Sequence, residues 1–69
     1  MVEIFKTNVE AEQQAQEMLG VLSETFPEFK INFDLYDRDK ILRVEGNIIS
    51  PEKIIELLNS NCYCCEILN

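Results

Sequence analysis

The chain has no histidine, only two glycines and two prolines, and only six basic residues. The missing histidine removes the commonest general base and the commonest metal ligand together. So little Gly and Pro, with 46% apolar residues, argues for a packed domain over a disordered tail. No apolar run approaches the ~20 residues that cross a bilayer, so no membrane insertion is expected. The start, Met1 to Thr7, has neither the basic opening nor the apolar stretch of a signal peptide, which makes a cytoplasmic protein the expectation. Thirteen acids against six bases give a net charge of -7. Phosphate backbones are bound by clustered Lys and Arg, and here the bases are few and scattered, so nucleic acid is a poor partner. A basic protein surface or a cation fits better.

Sixty-nine residues make one domain, 1–69, with a small core and a thin margin of stability. The three cysteines, Cys62, Cys64 and Cys65, are odd in number and fall within four residues, which is no disulfide framework. In a reducing compartment they are expected as thiols.

Along the chain the hydrophobic period switches between two and about 3.6. Val2 to Lys6 alternates and reads as a strand. Ala15, Met18, Leu19, Leu22 and Phe26 then form one helical stripe, which Pro27 ends. Thr7 and Glu10 have the T-x-x-E spacing of a capping box, so the helix is expected to start at Thr7 or Asn8. Ile31, Phe33 and Leu35 mark a second strand and Asp37 to Asp39 a polar turn. Ile41 to Glu45 is a third strand with Leu42 and Val44 inward, closed by Gly46 and Asn47. Ser50-Pro51-Glu52 opens a second helix with the stripe Ile54, Ile55 and Leu58. After the breaker cluster Asn59 to Asn61, Tyr63 to Leu68 is a last strand, with Cys65 toward the core and Cys64 away from it. The fold class expected is α+β: a ferredoxin-like βαββαβ domain, two helices on one face of a four-stranded antiparallel sheet.

The hydrophobic framework resembles that of the heavy-metal-associated domains of copper chaperones and transport ATPases. It runs from Val2-x-Ile4 through Ala15-x-x-Met18-Leu19-x-x-Leu22, Phe33-Asp34-Leu35 and Leu42-x-Val44. It continues in Ser50-Pro51-Glu52-x-Ile54-Ile55 and Leu58, and ends at Tyr63. The resemblance covers nearly the whole chain but fails at the family's metal loop. That loop carries M-x-C-x-x-C, whose thiolates bind Cu(I) or Zn(II). Here Lys6, Asn8 and Ala11 occupy those three positions, so the resemblance implies the fold without its usual site. The family often has a Gly-Tyr pair before its last strand, and Cys62 replaces that Gly.

Two functions follow. One is a metal-independent protein-interaction module that meets a basic protein surface, or a second copy through a sheet edge, with Phe5, Tyr36 and Ile41 on its exposed sheet face. The other is a soft-metal protein that holds Cu(I) or Zn(II) at Cys62 and Cys64, with Cys65 the weaker candidate because buried Cys packs as a small hydrophobe. Asp37, Asp39 and Glu45 lack the spacing of a calcium loop and read as a solvated hairpin turn. With no His, no Gly-rich phosphate loop and no pattern that pairs carboxylates, an enzyme is not expected.

Overall fold

A computed structural model describes residues 1–68; Asn69, the last residue of the expected domain, lies outside the described residues. The element order is β1 (Val2–Thr7), α1 (Glu12–Thr25), β2 (Lys30–Asp34), β3 (Ile41–Glu45), α2 (Pro51–Ser60) and β4 (Cys65–Ile67). The architecture is α+β. All neighbouring strands are antiparallel, in the spatial order β2-β3-β1-β4, which leaves β2 and β4 as the edges. Among the described residues no helix is long and apolar enough to cross a membrane.

Strand alternation sends successive side chains to opposite faces, so the register decides what is buried. Phe5 stands opposite Leu42, and Leu42 opposite Phe33. Phe5, Leu42 and Val44 are fully buried and join Ala15, Met18 and Leu22 of α1 and Ile54 and Leu58 of α2 in one core. Both helices therefore cover the same sheet face. The other face carries Val2, Ile4 and Lys6 of β1, Ile41, Arg43 and Glu45 of β3, and Lys30, Asn32 and Asp34 of β2.

This register corrects the expected exposed face. Phe5 is not on it: its ring is buried opposite Leu42, while Val2 remains 43% exposed. Tyr36 is fully exposed, but it lies in the turn after β2 and not on the sheet. Ile41 does lie on the outer face, opposite Lys6 and Asp34.

The start of α1 also differs. Its N-cap is Ala11, in extended conformation, whose methyl accepts no hydrogen bond. Gln14 Oε1 accepts instead from the N–H groups of Ala11 (3.0 Å) and Glu10 (3.2 Å), the reverse half of a capping box alone. Thr7 does not cap the helix: it is the last residue of β1, and its hydroxyl accepts from the Val9 N–H before the helix begins. At the far end of α1, Phe26 and Phe29 stack with centroids 5.3 Å apart. Gly46 lies against Phe29 of that pair: a Cβ there would stand 2.8 Å from Phe29 Cε1 and closer still to Cδ1.

Candidate functional site

Three loops meet at the end of the sheet where β1 finishes. Thr7, buried at that point, ties two of them together. Its hydroxyl donates to the Lys40 carbonyl (2.6 Å) and accepts from the Val9 N–H (3.2 Å), and its own N–H donates to the Asp39 carbonyl (3.1 Å). The β1–α1 loop is thereby held to the β2–β3 turn. Asn8 ties in the third loop: its Oδ1 accepts from the Cys64 N–H at 2.8 Å, across 56 residues of sequence. A cleft of about 340 Å³ opens there, lined by Lys6, Thr7, Asn8, Asn59, Cys64, Cys65 and Glu66.

The β2–β3 turn is held locally. The Asp39 N–H donates to Asp37 Oδ1 (2.9 Å), the Lys40 N–H to the Asp37 carbonyl (3.0 Å) and Lys40 Nζ to the Leu35 carbonyl (3.0 Å). Asp37 and Asp39 thus act as turn residues, and Lys40 takes the left-handed conformation, φ 48°.

Each cysteine has a different place. Cys62 sits just past α2 in the left-handed region, φ 69°. The Tyr63 N–H donates to the Leu58 carbonyl and the Cys62 N–H to the Asn59 carbonyl, each at 3.0 Å. These are the two bonds of a Schellman motif, in which the residue at the Cys62 position is usually Gly. Tyr63 therefore belongs to the helix end, and β4 begins at Cys65. Cys64 is exposed and borders the cleft. Cys65 stands opposite Thr7, faces the core and is buried. Burial pushes its thiol from the ordinary 9.0 up to about 12, with the Glu66 charge adding to the effect. A thiol so held stays protonated and is a poor soft-metal ligand.

The residues around the cleft do not fit a soft ion. Asn8 spends its amide oxygen on the Cys64 N–H, Ala11 has no donor atom, and Cys65 is held as a neutral thiol. Among the described residues no three or more Cys, Asp or Glu side chains are grouped to hold one metal ion. Of the sequence candidates, Cys64 and Cys65 border the cleft, whereas Cys62 is exposed and is not among its lining residues.

Sequence reasoning missed Thr7 as the link between loops and Asn59 as part of the cleft wall. A polar pair directly after a strand was the available signal for Thr7 and Asn8. Nothing local pointed to their partners at Lys40 and Cys64. Comparison with protein-family models, with curated proteins and with solved structures found no match.

Proposed function

We propose that this chain is a metal-independent protein-interaction domain of ferredoxin-like, heavy-metal-associated type, and that its partner is basic. The central placement of β1 and β3 between β2 and β4 supports the fold assignment. The observation that carries the function is the distribution of charge. Residues 7–29, which include all of α1, hold Glu10, Glu12, Glu17, Glu24 and Glu28, all exposed, and no Lys or Arg. The outer sheet face is balanced by contrast, with Lys6, Lys30 and Arg43 against Asp34, Glu45 and Glu66. With α2 adding Glu52 and Glu56 against Lys53 alone, the helix side is strongly acidic, which steers a positively charged surface toward it and disfavours nucleic acid.

The test is affinity capture from cell extract with and without a chelator, repeated with Glu17→Lys and Glu24→Lys together. The expected partner is basic, survives chelation, elutes at raised salt and is lost on charge reversal. Capture that is abolished by the chelator, or unaffected by charge reversal, would overturn the proposal.

A second reading is favoured by one contact. The Cys64 N–H to Asn8 bond brings the loop bearing two exposed thiols, Cys62 and Cys64, beside the β1–α1 loop. A C-x-C pair of this kind suits Cu(I) or Zn(II), shared between two chains if one chain supplies too few ligands. Titration of reduced protein against a competing chelator decides it. Binding no tighter than that of a variant with Cys62, Cys64 and Cys65 all changed to Ser would end this reading.

A further inference from the structure

Strand β2 is an edge, and an edge presents unpaired backbone groups that can accept another strand. The Gly46 N–H donates to the Met1 carbonyl at 3.0 Å, which fixes the alternation of bonds between β1 and β3. By that alternation Glu45, Arg43 and Ile41 direct their backbone groups toward β2, to Lys30, Asn32 and Asp34. The N–H and C=O groups of Ile31 and Phe33 therefore point outward, to the open side. The same two side chains are half-buried, packed on the core from one side only.

From these observations we propose that β2 pairs antiparallel with β2 of a second copy about a two-fold axis at Asn32, joining the two sheets into one. The strand reads Lys-Ile-Asn-Phe-Asp and is complementary to its own reverse. About Asn32, Lys30 faces Asp34 of the second copy and Asp34 faces its Lys30, both on the outer sheet face. On the helix-covered face Ile31 meets Phe33 and Phe33 meets Ile31, a β-branched and aromatic pairing that sheets favour. These are also the residues whose backbone groups point outward, so each such pair exchanges both main-chain bonds. An interface of this kind is isologous and closes at two copies.

The register is selective. Shifting the axis to Ile31 would set Asp34 against Glu28 of the other copy, like charge on like. Shifting it to Phe33 would leave Lys30 opposite Tyr36 and lose both ion pairs. Lys on an edge strand ordinarily deters pairing. Here the acid at the other end of the strand turns Lys30 into an attraction. This inference goes beyond the interaction reading above and uses a different surface from the acidic helix side.

The experiment is sedimentation equilibrium of the reduced full chain across a dilution series. Unmodified protein is expected as a dimer at high micromolar concentration that dissociates on dilution. Asp34→Lys alone sets Lys against Lys at both ends and is expected to weaken the dimer by roughly tenfold or more. Lys30→Asp alone sets Asp against Asp and acts likewise. Mixing the two variants restores opposite charges at both ends, so a heterodimer is expected where neither variant pairs alone. Circular dichroism of each variant, expected to match the unmodified chain, separates lost pairing from lost folding. A monomer at all concentrations, single variants that dimerise as well as the unmodified chain, or a mixture that stays monomeric would each overturn the proposal. None of those results touches capture of a basic partner, which is read separately.

Discussion

Replacing Cys62 by Gly should make the protein more stable. A side chain at φ 69° places Cβ against the following carbonyl, at a cost of roughly 1–2 kcal/mol for an L-residue. Glycine removes that cost and adds one of its own, because its unfolded chain is freer, by roughly 0.5–1 kcal/mol. The Schellman bonds from Cys62 and Tyr63 are backbone bonds and survive the change. Cys62 is exposed, so little packing is lost. The net gain is roughly 0.5–1 kcal/mol, or about 2–8 °C in melting temperature for a domain of this size.

Urea unfolding in reducing buffer measures it, with Cys62→Ala as the control. Alanine keeps Cβ, keeps the strain and should lie close to the unmodified protein. Valine, branched at Cβ, should be less stable than either. A Cys62→Gly midpoint at or below that of Cys62→Ala would refute the reasoning. The same variant bears on function. Backbone strain kept where glycine would relieve it points to a use for the side chain. If Cys62→Gly gains stability and also loses Cu(I) or Zn(II) binding, the thiol is that use. If it gains stability with partner capture intact, the interaction reading stands without the thiol.

The two glycines should respond in opposite directions: Gly20→Ala, in mid-helix with nothing within 4 Å of its new Cβ, should gain roughly 0.5–1 kcal/mol, and Gly46→Ala should lose roughly 1–3 kcal/mol by driving Phe29 from its stack, both read by thermal melting. Ala11→Ser should add the missing acceptor at the α1 N-cap and gain roughly 0.5–2 kcal/mol, visible as a higher urea midpoint. Phe5→Ala should cost roughly 3–5 kcal/mol, whereas Val2→Ala should cost under about 1 kcal/mol; equal losses in urea unfolding would contradict the register that buries Phe5. The Cys65 thiol ionises near 9.0 when unfolded but only at about 12 when folded, so its contribution is present in full below pH 9 and is lost as pH rises toward 12. Stability measured above pH 9 should therefore fall with pH more steeply in the unmodified protein than in Cys65→Ala, and parallel curves would remove the assignment.

Much of the fold is legible in the chain because its periods are unambiguous where the core is made. Ala15, Met18 and Leu22 fall on one helical stripe and all three are buried; Leu42 and Val44 alternate with Arg43 and Glu45, and only the apolar pair is inside. Strand β1 offers no such contrast. Val2 and Ile4 make one apolar alternate, and Phe5 anchors the other beside Glu3, so local pattern alone favours the wrong face. The choice is made by pairing: once Phe5 stands opposite Leu42, burying Val2 instead would require breaking the register that buries Leu42. The helix cap fails for a related reason. Thr7 has the spacing of a capping residue, but it is held at the end of β1 by its bonds to the Asp39 and Lys40 carbonyls, the latter 33 residues away, and a local motif carries no record of such long-range partners.

The candidate site is harder to read than the fold because its parts come from three loops whose proximity only the tertiary structure creates. The sequence does say that thiols are missing from the β1–α1 loop and present after α2. It does not say that Asn8 is a hydrogen-bond acceptor for the Cys64 N–H. That bond bears on what the loop can hold. A metal-binding loop must leave its donor atoms free to close around an ion, whereas this one uses its side chains to hold neighbouring loops: Thr7 takes the β2–β3 turn and Asn8 the α2–β4 connection. Polar side chains here supply cross-links that need no metal and no oxidation state. Such a loop end suits a rigid scaffold, and a rigid scaffold is what a docking domain needs so that little conformational entropy is lost on binding. On the two proposals made above, binding falls away from this loop, on the acidic helix side and on the self-complementary edge of β2.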